Sequence, residues 1–168
     1  MKPNTENWEL LYHYWFANIE PTQGYIDNRL PIWFFASPEE DQKIRRDFVP
    51  WLSDITPEIE TAWKQTPRSF LTLVLLFDQI PRNAFRGTPK SFSFDNKGLS
   101  LARSFIDSDF IGALQPIETL FAWLPLQHQE NKNDQETQLK GINQAGESAP
   151  EGHKKFFAVA KNRNFFIL

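Results

Sequence analysis

The 168-residue chain has no cysteine, a single methionine, no long apolar run and no excess of basic residues. Without cysteine there can be no disulfides, thiolate zinc sites or thiol nucleophiles. No stretch approaches the roughly 20 apolar residues a membrane span requires. The opening MKPNTENWELL also lacks the apolar core of a signal peptide, so the expected compartment is the cytoplasm. A net charge of -3 gives no basic surface for nucleic acid or an anionic membrane, and neither is expected as a partner. Glycine-rich phosphate loops, nucleophile elbows, HExxH and acidic calcium loops are missing as well. What the chain does have is rings: 16 Phe, 6 Trp and 3 Tyr. A chain of this length is expected to form one domain over residues 1–168, with a core built largely from those rings.

Apolar spacing is helical along most of the chain. Trp8, Leu11, Tyr12, Trp15, Phe16 and Ile19 follow the period of a buried helical face, and Pro21 and Gly24 predict its end. Ser37-Pro38, Thr56-Pro57 and Thr66-Pro67 read as N-caps followed by proline at the first helical position. Thr88-Pro89 repeats the pattern, but the intervals are too irregular to establish a repeat. Pro50 is expected to kink or divide the helix that begins at Ser37. The run Phe70 to Phe77, apolar nearly all round, reads as a buried helix because a cap precedes it and no neighbouring segment alternates as a partner strand would. Asp95 is a candidate N-cap for the next helix, and Pro116 opens another that should end near Pro125. Residues 129–155 are polar and without aromatics, either a solvated outer helix or a partly disordered stretch. A final apolar helix is expected from Phe156 to Leu168. The fold class predicted is all-α, with seven or eight short helices in stacked antiparallel hairpins.

The densest polar cluster, Asp78-Gln79-Ile80-Pro81-Arg82-Asn83-Ala84-Phe85-Arg86-Gly87-Thr88-Pro89, lies where the most apolar helix is expected to end. Pro81 disfavours helical geometry at Ile80, which would put Asp78 in the last turn, facing the negative end of the dipole. An acid so placed needs a cationic partner, and Arg82 and Arg86, four apart, are the candidates. One reading is a structural ion pair across a helix joint. The other is a pocket in which Arg82 and Arg86 bind a carboxylate or phosphate, Asp78 orients an arginine, and Gln79 and Asn83 add hydrogen bonds. Gly87 fits a left-handed turn after the helix.

The second cluster is Gln127-His128-Gln129-Glu130. His128 follows an apolar run, where its charge could change near neutral pH, and it is a candidate general base or acid with Asp78 or Glu130. A metal site is not expected, because on a helix His128 and Glu130 point about 200 degrees apart. No cofactor is expected either.

Several of these strings together resemble the bacterial domain-of-unknown-function family numbered 924. The resemblance lies in Thr66-Pro67-Arg68, Leu75-Leu76-Phe77-Asp78-Gln79-Ile80-Pro81-Arg82-Asn83, Phe85-Arg86-Gly87-Thr88-Pro89 and Asp95. Tyr14-Trp15-Phe16, Trp33-Phe34, and Glu118-x-x-Phe121 to Pro125-x-x-His128 also match in order and spacing, from Trp8 to about residue 163. The resemblance implies an all-helical, tetratricopeptide-like fold and no particular activity. It marks Asp78, Gln79, Arg82, Asn83, Arg86 and His128 as the polar residues of the pattern. Gln129 departs from the usual serine, and the chain ends at Asn164-Phe165-Phe166-Ile167-Leu168 where family members continue into an arginine- and histidine-containing stretch. Three functions are therefore expected in order. The first is a binding site for a small anion or peptide carboxylate, the second a hydrolase or transferase using His128, and the third a shortened member that keeps the fold without activity. Phe156, Phe157, Phe165 and Phe166 are expected either to cap the stack or to mediate homodimerisation.

Overall fold

Ser37, Thr56 and Thr66 each accept a hydrogen bond from a backbone N–H of the next turn, at Glu40, Ile59 and Ser69. The proline after each sits where its missing N–H is not needed. In the computed structural model, which describes residues 1–35 and 37–162, the helices are α1 (Glu9–Phe16), α2 (Gln23–Trp33), α3 (Pro38–Asp47), α4 (Trp51–Asp54) and α5 (Pro57–Trp63). There follow α6 (Pro67–Ala84), α7 (Asp95–Ile106), α8 (Pro116–Gln127), α9 (Lys132–Ser148) and α10 (Glu151–Ala160), with 3-10 turns at Pro89–Phe92 and Ile111–Ala113. No strand occurs among the described residues, so the fold is all-α. None of these helices is long and apolar enough to cross a membrane.

Three expectations at helix ends are corrected. First, α1 stops at Phe16 rather than near Ile19, because Ala17 turns the chain with a φ of 50°. Gly24 then falls inside α2, whose start is fixed by the Thr22 hydroxyl accepting from Tyr25 N at 3.1 Å. Glycine in a first turn weakens a helix without breaking it. This unexpected α2 helps take the count above the seven or eight expected. Second, Pro81 lies within α6 instead of ending it, and α8 ends near Pro125 but runs two residues past it, to Gln127. An interior proline costs about 3 kcal/mol, but 15 of the 18 residues of α6 are buried, and burial on that scale outweighs a local propensity. Third, the N-cap position of α7 is Phe94; Asp95 is the first helical residue and its carboxylate is engaged elsewhere.

Helix α6 is the central element, packed against α1, α3, α4, α5, α7 and α8. Around it the rings form one core. Trp33 and Phe121 pack edge-on at 5.1 Å between centroids, Phe34 stacks on Phe121, and the Trp33 indole donates to Trp15 O at 2.9 Å. Trp51 and Trp63 donate to the carbonyls of Met1 and Asn4, tying down the start of the chain. Phe156 and Phe157 are buried, and Phe156 packs on Trp33 and Phe34. They therefore belong to the core, while Phe165 and Phe166 lie outside the described residues.

The polar stretch after α8 folds back on it as α9, with Gly141 so close to Trp123 that an added Cβ would lie 2.1 Å from the ring. Helix α10 then docks on α2, and Gly152 meets the turn before α2. A Cβ there would come within 2.4 Å of Pro21 O, a backbone atom with little freedom to retreat. Gly152→Ala is expected to lose about 1 to 3 kcal/mol through overpacking, opposed by at most about 1 kcal/mol of helix propensity. Urea denaturation should show a lower midpoint with an unchanged slope.

Candidate functional site

The second half of α6 carries Asp78, Gln79, Arg82 and Asn83, and the chain then turns through Arg86 and Gly87 into the Pro89–Phe92 turn. The end of α6 is held by Arg45 of α3, whose Nε donates to Ala84 O at 2.6 Å, satisfying one of the open carbonyls. Gly87 has a φ of 77°, the left-handed geometry expected of it. Beside these elements lies a cavity of about 470 Å³. Gln79, Arg82, Asn83, Arg86 and His128 all line it, and Trp33, Phe34, Phe92 and Leu124 supply the apolar wall.

Asp78 is inside α6 rather than in its last turn, so the dipole argument for its partner does not apply. It needs a partner because it is 2% exposed. Gln79 Nε2 donates to it at 2.7 Å, and Arg82 Nε lies 3.6 Å away, near enough to be attracted and too far for a hydrogen bond. Arg82 also donates through Nη2 to Asp95 at 2.8 Å. Each arginine has its own carboxylates: Arg86 Nε lies 3.8 Å from Asp41 of α3, and its Nη2 donates to Asn83 Oδ1 at 3.0 Å. Asn83 in turn donates to Ile32 O at 3.2 Å, fastening the end of α2 to α6. Asp78, Asp95 and Asp41 are not in the cavity wall, yet each lies within 4 Å of one of its two guanidiniums. Burial pushes the Asp41 and Asp95 carboxyls up, opposed at Asp41 by Arg86 and Arg45 and at Asp95 by Arg82.

Asp41 and Asp95 are the two members that residue types alone did not mark. Asp41 follows Glu39 and Glu40 in the first turn of α3, where acids are favoured by the helix dipole whatever else they do, and Asp95 reads as a cap. A signal existed in the helical period: Asp41 shares a face with Ile44 and Phe48, and Asp95 with Leu99 and Ala102, so each sits on the buried side of its helix.

His128 is the C-cap residue of α8 and closes the cavity from the other side. Burial holds its pKa below the ordinary value; the Asp78 charge opposes that shift and Arg82 adds to it. The ring is therefore neutral at pH 7. Among the described residues it makes no hydrogen bond to a carboxylate. Glu130, the other acid considered for it, is exposed and outside the cavity wall, because the chain leaves α8 between them. No group of three or more acidic or histidine side chains among the described residues could hold a metal ion.

A histidine that folds neutral is protonated more readily when unfolded. Stability is therefore full above the unfolded pKa of about 6.5 and falls as the pH drops from there toward the lower folded pKa, where the loss levels off. The His128 ring resonances should titrate with a midpoint below 6.5, and Asp78→Asn should lower it further by removing the favourable charge. A midpoint raised by Asp78→Asn would contradict the geometry.

Fold and site together define an all-helical protein with an arginine-bearing cavity at the end of its central helix. The family model described as "Bacterial protein of unknown function (DUF924)" matches residues 11–167, and the chain belongs to that family. A solved structure of a protein of unknown function from Agrobacterium tumefaciens has a similar fold. It aligns with a TM-score of 0.54 at 20% identity, covering 92% of this chain and 80% of that one. No curated protein matches the chain.

Proposed function

We propose that the cavity binds a small anionic ligand or the carboxylate of a peptide, gripped by Arg82 and Arg86. The observation that carries this reading is that both arginines line one cavity while their carboxylates lie outside its wall. A guanidinium has five N–H donors in a fixed fork. Among the described residues, Arg82 makes one hydrogen bond, to Asp95. Its Nε is buried beside Asp78, and the remaining Nη donors match what a carboxylate accepts, with Asp78 and Asp95 holding the fork in place before a ligand arrives. Gln79 and Asn83 add neutral hydrogen-bonding groups, and His128 a contact that becomes cationic in acid.

In the same reading the protein acts in the cytoplasm, and its hairpins stack in a tetratricopeptide-like manner. The packing of α6 on α7, α7 on α8, α8 on α9 and α9 on α10 supports that arrangement.

The test compares thermal unfolding with a short peptide ending in a free carboxylate, its C-terminal amide, and acetate, all at one ionic strength. A ligand that binds only the folded chain raises the melting temperature as its concentration passes Kd. The free carboxylates should do so and the amide should not. If no anion moves the melting temperature while Arg82→Ala unfolds the chain, the network is a structural ion-pair joint and the proposal fails.

A further inference from the structure

The cavity wall joins two features that an inorganic anion would not require. One is the charge around the arginines: two guanidiniums are set among three carboxylates, Asp78, Asp95 and Asp41. A dianion such as phosphate would bring two negative charges to cations already outnumbered by carboxylates, whereas a single carboxylate adds one and suits the planar fork. The other feature is aromatic. Trp33 and Phe34 form the cavity floor from within the core, and Phe92 stands at the mouth, 57% exposed, with the Arg82 guanidinium 5.3 Å from its ring centroid. A volume of about 470 Å³ is at the small end of ligand pockets, which run from roughly 300 to 1,000 Å³.

Resting on the reading of this cavity as an anion site, we infer that its ligand is a monocarboxylate carried on an aromatic ring, either a free aromatic acid or a chain end with an aromatic last residue. The carboxylate meets Arg82 and Arg86, and the ring lies against Phe34 and Trp33 under the edge of Phe92. Phe92, 57% exposed with one side of its ring near the Arg82 guanidinium, offers its remaining surface to that ring.

The experiment is calorimetric titration of the wild-type chain with acetate, phenylacetate, phenylacetamide and inorganic phosphate at constant ionic strength. Phenylacetate should bind at least about tenfold tighter than acetate, phosphate more weakly than either, and phenylacetamide not at all. Phe92→Ala, at an exposed position, should weaken phenylacetate about two- to tenfold more than it weakens acetate. An acetylated peptide ending in phenylalanine separates the two sources. Binding tighter than phenylacetate identifies a chain end, binding weaker a free acid, and both support the inference. Acetate or phosphate binding as tightly as phenylacetate overturns it and leaves the anion reading standing. Phenylacetamide binding as well as phenylacetate overturns both, as does a wild-type chain that binds none of the probes.

Discussion

Arg82→Ala is expected to lose about 3 kcal/mol of stability together with all measurable carboxylate binding, whereas Arg82→Lys should keep most of the stability and still lose binding at least about tenfold. The first loss follows from what the substitution leaves behind. Asp78 is 2% exposed and would keep only the Gln79 amide as a direct partner, while Asp95 would lose its 2.8 Å charged hydrogen bond. Removing one member of a buried pair strands the other charge, and the cost exceeds what the intact pair contributes. Lysine restores the charge between the two acids but replaces the planar fork with a point charge. The pair of variants thus separates the structural role of Arg82 from its binding role. Denaturant unfolding measures the first and calorimetry with a carboxylate the second. Arg82→Lys with undiminished affinity would show that the fork does not touch the ligand.

The second large effect lies away from the cavity. Glu118 is fully buried on α8, where it accepts from Tyr12 Oη of α1 at 2.6 Å, from Arg68 Nε of α6 at 2.9 Å and from the backbone N–H of Gln115 at 2.8 Å. Three helices converge on this one side chain. Burial, followed by the Glu118 contact, pushes the Tyr12 hydroxyl well above its usual range, so it remains a donor at every physiological pH. Glu118→Ala should cost about 3 kcal/mol, the loss of charged hydrogen bonds worth about 1.5 to 3 kcal/mol each set against partial rescue by water. The Arg68 share is small because its side chain is 47% exposed and screened. Most of the cost comes from the stranded Tyr12 hydroxyl and the broken capping box. Tyr12→Phe in the Glu118→Ala background should cost less than it does alone, and a double-mutant cycle would measure that coupling. Additive losses would mean that the two side chains act independently.

Local chemistry announced much of this fold. The caps at Ser37, Thr56 and Thr66 are side-chain events within one turn, and the apolar run from Phe70 to Phe77 is the middle of the central helix, as its composition suggests. Errors fell where tertiary burial overrides a local rule. Pro81 reads as a helix end because isolated helices do end there, yet the position is buried and enclosed by neighbouring helices. Helix α2 escaped notice because Gly24 and Pro31 lie within it and its buried positions are few. At the site, Arg82, Arg86, Asn83 and Gln79 were legible because they are crowded into one short string. Their carboxylates Asp41 and Asp95 come from α3 and α7, and no local pattern ties either of them to Arg82 or Arg86. His128 and Glu130 are neighbours in sequence, but the end of α8 separates them and Glu130 lies outside the cavity wall.

A nitrogen-resolved NMR titration of the wild-type chain with phenylacetate at constant ionic strength tests the binding claim most directly, by following the Nε–H signals of each arginine. The account predicts saturable shifts at Arg82 and Arg86, with the backbone amides of residues 79–92 moving in step. Arg46 and Arg68, which lie on the surface away from the cavity, should stay still. Signals of Arg82 and Arg86 that do not move, or that move no more than those of Arg46 and Arg68, would contradict it.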